Sequence, residues 1–367
     1  MNNKIHPDLQ RLFLDLIQID AVSGKEQPVA DFIRSVTASL GFPAQEDGAV
    51  SLSGGNSGNI IVPVNGGGDF LLMAHMDTPR STKGVKPQLL ADRITSDGTT
   101  ILGVDDRGGI SAILWALRQA VEQKKAIKPC TLLFSVCEET TLAGSMFYQP
   151  SAQMTHGFVF DSHLSPGKFV SETCGAIAFK MKVKGRASHA GVAPEKGVNA
   201  IQIAAEGMRN FPFGRIDACT TANIGIIGGG TATNVVPDTV ELEGEIRTDY
   251  LDQGEQMMQA VIADFEAAAI RLNGSVECAW HWDFKPYRVS PDNTPYKRME
   301  ALCRHLSLEM EGVKSMGGSD ANNMNAKGLP TINLGVGAQN PHGTDEFILY
   351  DDLQMSADMA LALLTEI

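Results

Sequence analysis

The chain has 367 residues, which is long for one hydrophobic core and fits about two domains. Its hydrophobic content of 43% and charged content of 20% are ordinary for a globular protein. Its formal charge of −13 argues against a nucleic-acid-binding surface, because such a surface needs clustered Lys and Arg. We therefore expect a two-domain protein with no nucleic-acid partner.

The six cysteines are scattered along the chain, without a Cys-x-x-Cys pair or the density of a disulfide-rich domain. This pattern is typical of reduced thiols in a cytosolic protein. The first residues lack the apolar stretch of an export signal, and no apolar run is long enough to span a bilayer. The sequence therefore predicts a cytoplasmic protein that is not bound to a membrane.

The first elements of the chain are predicted to be scaffold. Apolar residues recur at helical spacing over residues 7–17, which predicts an amphipathic helix. Ser23-Gly-Lys-Glu26 has the pattern of a capping box, which would begin a second helix that ends at Gly41. Residues 59–64 and 69–74 then have the composition of two strands separated by a glycine turn, and residues 80–99 have that of a polar loop.

Four apolar segments, each with the composition of a buried parallel strand, lead into side chains that can bind a metal. They are residues 70–75 with His75 and Asp77, residues 131–137 with Glu138 and Glu139, residues 157–161 with Asp161, and residues 331–335, followed by a glycine-rich loop with His342. Ligands gather at the carboxyl ends of strands in open α/β sheets, and zinc binds imidazole and carboxylate groups. The sequence therefore predicts a metal site at one edge of a sheet.

Two motifs allow a more specific interpretation. Asp105 and Asp106 precede a predicted helix over residues 110–121, where a single Asp is typical of a helix cap. One cap is enough for one helix, so one of the two carboxylates is a candidate metal ligand. In the first strand motif, Asp77 can accept a hydrogen bond from one ring nitrogen of His75 and leave the other nitrogen for a metal.

Residues 175–288 have the pattern of an inserted domain. The predicted order is βαββαβ, with strands near 175–184, 220–227, 239–248 and 276–282 and helices near 197–209 and 253–272. Alternating apolar and polar residues are typical of half-exposed antiparallel strands, and this order is that of a ferredoxin-like sandwich. The α/β domain then resumes with helices near 294–306 and 351–364 on either side of the strand at 331.

Seven motifs, taken in order, resemble those of the M20 family of metallopeptidases with two metal ions, most closely its tripeptide aminopeptidase, or peptidase T-like, branch. They are His75-Met-Asp-Thr-Pro, Leu102-Gly-Val-Asp-Asp-Arg-Gly-Gly, Cys137-Glu-Glu-Thr-Thr-Leu-Ala-Gly-Ser, Phe160-Asp, Arg186-Ala-Ser-His-Ala-Gly, Gly317-Gly-Ser-Asp-Ala-Asn and Pro341-His-Gly-Thr-Asp-Glu-Phe. The resemblance implies an α/β, zinc-peptidase-like catalytic domain with a mixed sheet over residues 1–174 and 289–367. It also implies that residues 175–288 form a ferredoxin-like α+β lid or dimerisation domain.

The resemblance further implies which residues hold two divalent ions. His75, Asp105 and Asp161 would bind one ion, and Asp105, Glu139 and His342 would bind the other, with Asp105 as the bridge. Asp77 would orient His75, and Glu138 would be the general base that activates a water shared by the two ions. Zinc suits such mixed ligands, and cobalt or manganese could also serve.

In the inserted domain, the resemblance implies that His189, Arg247 and Asn234 bind substrate and that a homodimer forms through the lid. A solvated loop histidine and a surface arginine remain the alternatives for His189 and Arg247. The family's Asp-Asp-Lys-Ala-Gly is Asp105-Asp-Arg-Gly-Gly here, and Thr140 replaces a third acidic residue. Neither departure affects an implied ligand, but both leave the substrate open.

The implied reaction is hydrolysis of an amide bond in a short peptide, with release of the N-terminal residue. A carboxypeptidase or an N-acyl-amino-acid deacylase on the same scaffold is the alternative, and it would need a free substrate carboxylate facing Arg247. A catalytically inactive peptide-binding homologue is a third possibility. The presence of Glu138 argues against it.

Overall fold

The computed structural model describes residues 5–367. Its α-helices are α1 (Pro7–Ile17), α2 (Gln27–Ser39), α3 (Val50–Ser53), α4 (Val104–Glu122), α5 (Glu138–Thr141), α6 (Ala143–Phe147), α7 (Ala200–Gly207), α8 (Leu251–Arg271), α9 (Thr294–Leu306), α10 (Asp320–Ala326) and α11 (Tyr350–Thr365). Its strands are β1 (Gln45–Glu46), β2 (Ile60–Val64), β3 (Phe70–His75), β4 (Gln88–Leu89), β5 (Arg93–Thr95), β6 (Cys130–Ser135), β7 (His156–Ser162), β8 (Lys168–Thr173), β9 (Gly175–Lys184), β10 (Gly214–Arg215), β11 (Thr221–Gly229), β12 (Thr239–Thr248), β13 (Ser275–Phe284), β14 (Tyr287–Arg288), β15 (Glu311–Ser315), β16 (Thr331–Gly335) and β17 (Phe347–Leu349). Within the described residues, no helix has the length and apolarity needed to cross a membrane.

These elements form two compact units. The first comprises residues up to Glu172 together with Arg288–Ser315 and Ser319–Ile367. The second comprises Thr173–Tyr287 and the short segment Met316–Gly318. The second unit thus interrupts the first in sequence, while the exact domain limits expected from the sequence remain a prediction.

The first unit is built on a mixed sheet of nine strands, in the order β1-β2-β6-β3-β7-β16-β8-β14 with β15 beside β8. Its central strands β6, β3, β7 and β16 are parallel to one another. Every residue of β3 and β6 is buried, which explains their continuous apolar sequences. Because these four strands are parallel, their carboxyl ends lie along the same edge of the sheet.

Helix α4 packs against β3 and β7, and helices α1 and α11 pack against α4 in turn. The close approach of α4 to β7 depends on Gly109. A Cβ atom added there would lie 1.9 Å from the carbonyl oxygen of Phe160. A glycine is therefore required where this helix passes over the strand that carries Asp161.

The second unit has a five-stranded antiparallel sheet in the order β10-β11-β12-β9-β13, with α7 and α8 packed against each other. In β9, Phe179 and Met181 are buried, whereas Lys180 and Lys182 are exposed. The order β11-β12-β9-β13 is that of a ferredoxin-like sandwich. The expected fold class, a mixed-sheet α/β domain with an inserted ferredoxin-like domain, is therefore confirmed.

Two local predictions are wrong. Helix α2 begins without the expected capping box, because the carboxylate of Glu26 points inward and accepts hydrogen bonds from the amides of Gly24 (2.8 Å) and Cys137 (3.0 Å). The loop expected over residues 80–99 contains β4 and β5, which form a small sheet with β17. These strands have two and three residues, too few to show an alternating pattern.

Candidate metal centre

All seven residues that the sequence assigns to the metal and catalytic site lie in the first unit, at or near one edge of its sheet. His75 ends β3, Asp77 follows it, Asp105 lies in the first turn of α4, Glu138 and Glu139 begin α5 after β6, Asp161 lies near the end of β7, and His342 lies in the loop between β16 and β17. The parallel order of β6, β3, β7 and β16 accounts for this convergence of residues that are far apart in sequence.

Asp105 occupies the middle of the cluster, between two histidines. Its Oδ1 atom lies 2.9 Å from Nε2 of His75, and its Oδ2 atom lies 3.4 Å from Nε2 of His342. The same His75 nitrogen lies 3.5 Å from Oδ1 of Asp161, and the same His342 nitrogen lies 3.2 Å from Oε2 of Glu139. The cluster therefore consists of two groups of side chains that share Asp105.

The neighbouring Asp106 has a different role. Its Oδ1 accepts a hydrogen bond from the amide of Gly109 (3.0 Å), and its Oδ2 accepts one from the amide of His75 (3.1 Å). An oxygen of Asp106 also lies within 4.8 Å of ligand atoms of His75 and Asp161, so proximity alone would allow it as a ligand. Because both of its oxygens accept backbone hydrogen bonds, we treat Asp106 as the helix cap and Asp105 as the candidate ligand.

The charges of the cluster favour cations. Hydrogen bonds to Asp105 and Glu139 raise the pKa of His342 to about 10. Burial lowers the pKa of His75, but hydrogen bonds to Asp105, Asp161 and Asp77 outweigh it and hold that pKa well above its usual value. Burial raises the pKa of Glu139 to about 7. The buried carboxylates thus stabilise positive charge at the two imidazoles, whether that charge is a proton or a metal ion.

The donor atoms suit divalent ions. Ligand atoms of His75, Asp105 and Glu139 all lie within 4.8 Å of one another. The Oε1 atom of Glu139 is buried and has no hydrogen-bond partner among the described residues. A buried carboxylate oxygen without a partner is costly, and a bound cation would satisfy it. Imidazole and carboxylate are the mixed ligands that zinc and its neighbours in the first transition series accept.

Asp77 contacts both His75 and the turn that carries Glu138 and Glu139. Its Oδ1 atom lies 3.4 Å from Nδ1 of His75, and its main-chain oxygen lies 3.1 Å from the same nitrogen. Its carboxylate also accepts hydrogen bonds from the hydroxyl of Ser23 (2.6 Å) and from the amides of Glu138 (3.0 Å) and Glu139 (3.2 Å). The predicted role in orienting His75 remains a prediction, and the contact with the two glutamate amides is one that the sequence did not indicate.

Glu138 and Glu139 lie in the one-turn helix α5, which follows β6. Cys137, just before them, has a φ of 53°, and this left-handed residue turns the chain out of the strand direction. Withdrawal from water, followed by repulsion from Asp161, raises the pKa of Glu138 well above its usual value. A raised pKa makes this carboxylate a stronger proton acceptor, which is the property that a general base needs.

Arg107 is the residue that departs from the family's Asp-Asp-Lys pattern. It is fully buried, and it donates hydrogen bonds to the main-chain oxygens of Met76 and Ile19. Met76 lies between His75 and Asp77. The longer, forked side chain of arginine therefore supports the backbone between His75 and Asp77.

The three candidate substrate-binding residues lie in the second unit. His189 and Asn234 are exposed and neighbouring, since His189 pairs with Val235 in an isolated bridge and the amide of Ala190 donates to the main-chain oxygen of Asn234 (2.9 Å). Arg247 is half-buried and lies apart from them in the sheet.

The guanidinium of Arg247 is already engaged. Its Nε and Nη2 atoms donate to the two carboxylate oxygens of Glu245, each at 3.1 Å, and its Nη1 atom donates to the main-chain oxygen of Met316 at 2.6 Å. A substrate carboxylate at Arg247 would have to share the guanidinium with Glu245.

Sequence reasoning missed two residues that contact candidate ligands. The side-chain oxygen of Asn333 accepts the amide hydrogen of Asp161 (3.2 Å), and its side-chain nitrogen donates to the Asp161 carboxylate (3.3 Å). Glu346 accepts the amide hydrogen of Asp105 (3.1 Å). A lone Asn inside the apolar segment Thr331-Ile-Asn-Leu-Gly335 was the available signal for the first.

The chain is similar to known proteins over almost its whole length. Residues 171–273 match the peptidase dimerisation domain of the M20 family. The Bacillus subtilis protein YqjE is 31% identical over 358 residues, which is 96% of each chain. The crystal structure of aminopeptidase PepT from Bacillus cereus has 30% identity and a TM-score of 0.89, and that of a tripeptidase from Staphylococcus aureus has 30% identity and a TM-score of 0.90. Each of these two comparisons covers 98% of both chains.

Proposed function

The chain belongs to the M20 family of metallopeptidases, in its peptidase T-like branch, and from this we propose that it is an aminopeptidase that removes the N-terminal residue from short peptides. The two solved relatives at 30% identity are described as an aminopeptidase and a tripeptidase. Their similarity covers almost the full length of this chain. Tripeptides are therefore the first substrates to test.

The observation that carries this proposal is the position of Asp105 between two histidines. One carboxylate oxygen faces His75 and the other faces His342, at 2.9 and 3.4 Å. A carboxylate in this arrangement can bind one cation through each oxygen. We assign His75, Asp105 and Asp161 to one ion and Asp105, Glu139 and His342 to the other.

The ligand chemistry supports zinc as the resident metal. Each proposed group combines one imidazole with two carboxylates, a set that zinc accepts and that cobalt or manganese can also use. When bound, two such ions would polarise the scissile carbonyl and lower the pKa of a nucleophilic water.

The remaining chemistry belongs to the side chains. Glu138 would accept a proton from the attacking water and later donate it to the departing amine, so that the amide bond is cleaved and the carboxyl group keeps the water oxygen. Its raised pKa allows it to hold the proton between these two steps. Asp77 would hold His75 and fix the turn that carries Glu138, through the contacts at 3.4 and 3.0 Å.

The alternative of a carboxypeptidase or deacylase has no specific support in the second unit. That activity would require Arg247 to bind a substrate carboxylate, whereas Arg247 already forms a bidentate ion pair with Glu245. An inactive homologue is also disfavoured, because Glu138 and the whole proposed ligand set are present.

The test is hydrolysis of a tripeptide with a free amino terminus, beside the same peptide with an acetylated amino terminus. We expect metal-dependent release of the first residue from the free peptide only, and cleavage of the acetylated peptide alone would instead support the deacylase. Glu138→Gln should lower kcat by about 10²- to 10⁴-fold and retain both ions. Substantial activity in this variant would remove Glu138 from the role of base.

Two further properties are part of the proposal. A homodimer through the second unit is supported by the match of residues 171–273 to a peptidase dimerisation domain. A cytoplasmic location is supported by the six cysteines, all within the described residues and none in a disulfide, as is typical of a reducing compartment.

A further inference from the structure

Glu346 is a buried acid in the loop that carries His342, and its carboxylate lies beside the start of helix α4, which carries Asp105. It is only 1% exposed, although its neighbour Asp345 is exposed. A carboxylate is almost never buried to this extent without hydrogen-bond partners. The partners of Glu346 therefore indicate its role.

Both carboxylate oxygens of Glu346 accept backbone amides at the start of α4. Oε2 accepts the amide of Gly103 at 2.7 Å, and Oε1 accepts the amide of Asp105 at 3.1 Å. Gly103 has a φ of 81°, so the chain turns sharply just before the aspartate. Glu346 thus fixes the backbone from which the Asp105 side chain extends towards both histidines.

The main chain of Glu346 closes the turn that carries His342. Its amide donates to the main-chain oxygen of Gly343 (3.2 Å), and the amide of Gly343 donates to the main-chain oxygen of Asn340 (3.1 Å). Its own main-chain oxygen accepts a hydrogen bond from the hydroxyl of Thr95 (3.0 Å). The position of Glu346, and with it the turn around His342, is therefore fixed from both sides.

We propose that Glu346 is a positioning residue that holds Asp105 against His342 and so forms the ion site of Asp105, Glu139 and His342. This inference rests on the proposed function and assigns a role within the same site. Glu346 contacts Asp105 through its carboxylate and the His342 turn through its backbone. Loss of its carboxylate would separate two of the three ligands of that ion.

The other ion site has its own support. Asn333 holds both the amide and the carboxylate of Asp161, at 3.2 and 3.3 Å. That contact does not involve Glu346. A change at Glu346 should therefore affect the two ions unequally.

Glu346→Gln is the most informative variant because it keeps the size of the side chain. Glutamine has one acceptor oxygen for two backbone amides, and its NH₂ group would face a second N–H donor. Asp345→Asn is the matched control. It removes one negative charge from the same loop, and its carbonyl oxygen can still accept the hydrogen bond from Asn340 that Asp345 accepts at 2.8 Å.

The experiment is a titration of the metal-free full-length protein with Zn²⁺, with calorimetry for affinity and elemental analysis for stoichiometry. We expect two ions in the wild-type protein and in the control. In Glu346→Gln one of the two dissociation constants should rise by about 10- to 100-fold, the range found when residues that support metal ligands are changed. In a His342→Ala background, Glu346→Gln should change the affinity for the remaining ion much less.

The outcomes separate this inference from the proposed function. A wild-type protein that binds no divalent ion would contradict the proposed function itself. Two ions in Glu346→Gln, with affinities equal to those of the control, would overturn only the role of Glu346. Two further results would overturn the role, because each would show that Glu346 serves stability only. One is a lower melting temperature of metal-free Glu346→Gln with both metal affinities unchanged. The other is that neither Glu346→Gln nor Glu346→Asp folds.

Discussion

At the scale of single residues, the adjacent acids Asp105 and Asp106 have separate roles. The carboxylate of Asp106 accepts hydrogen bonds from the amides of His75 and Gly109, whereas the carboxylate of Asp105 lies between two histidines. The sequence indicated that one of the pair was more than a cap. The family resemblance implied Asp105, but the residue pattern alone could not decide, because the choice depends on the backbone at the start of α4, where Asp105 and Asp106 are non-helical.

Removal of the shared carboxylate should affect both ions. Asp105→Ala deletes a ligand from each group, so we expect elemental analysis to find little bound metal after dialysis. His342→Ala deletes a ligand from one group only, and it should retain one ion per chain. Equal metal content in the two variants would contradict the assignment of Asp105 as the bridge.

At the scale of elements, the parallel strands were predictable and the short connecting elements were not. β3, β6 and β16 are buried along their whole length, and β7 is buried except at Asp161, so their apolar sequences identify them directly. The one-turn helix α5 has four residues and no periodicity that a sequence can show. The direction of Glu138 and Glu139 therefore had to come from the structure.

The contact between α4 and β7 gives a prediction about stability. Gly109→Ala would place a methyl group 1.9 Å from the Phe160 carbonyl oxygen, so the helix must shift away from the strand that carries Asp161. We expect a loss of about 1–3 kcal/mol in the free energy of unfolding, measured by denaturant titration. Gly228→Ala in β11 is the control, because a Cβ atom there meets nothing within 4 Å. Equal stabilities of the two variants would show that α4 does not need this glycine.

His156 links β7 to helix α9, which carries Arg298. Its Nε2 atom lies 2.6 Å from Nη1 of Arg298, and its Nδ1 atom lies 2.8 Å from the hydroxyl of Thr155. Since arginine can only donate, Nε2 is the acceptor and the imidazole is neutral. Burial, followed by repulsion from Arg298, lowers the pKa of His156 to about 4.

A neutral buried histidine makes stability depend on pH. The unfolded chain binds a proton at a usual pKa near 6.5, whereas the folded chain does so only at about 4. The contribution of His156 to the free energy of unfolding should therefore be constant above pH 6.5. It should fall by about 3 kcal/mol as the pH drops from 6.5 to 4. His156→Gln, which keeps an acceptor for Arg298, should reduce this fall in denaturant titrations across that range. An unchanged pH profile would exclude His156 as its source.

At the scale of the whole molecule, the order of predicted elements was enough to identify an inserted ferredoxin-like unit. The alternation in β9 and β13 and the order βαββαβ allow few arrangements of four strands. The segment Met316–Gly318, which belongs to the second unit, could not be assigned from sequence. Its contacts, such as the hydrogen bond from Arg247 to Met316, involve residues far away along the chain.

The second unit also gives a prediction about assembly. β10 pairs with β11 only at Thr221 and Ala222, and the outer edge of β11 beyond them has no strand partner among the described residues. Ile226 and Ile227 on this edge are 61% and 57% exposed. An open edge with apolar residues is suited to pairing with a second copy of the chain.

We expect light scattering to give twice the chain mass of 39.3 kDa for the wild-type protein and the single-chain mass for an Ile226→Lys, Ile227→Lys double variant. Val192→Lys is the control, because Val192 is also exposed and apolar but lies outside this strand. A double variant that keeps the wild-type mass would place the interface elsewhere.

The account depends most on two cations held around Asp105. Anomalous X-ray diffraction at the zinc absorption edge, on crystals of the zinc-loaded protein, tests this directly. We predict two peaks about 3.5–4 Å apart on either side of the Asp105 carboxylate, one beside His75 and Asp161 and the other beside Glu139 and His342. The absence of peaks at Asp105, or peaks at other residues only, would contradict the account.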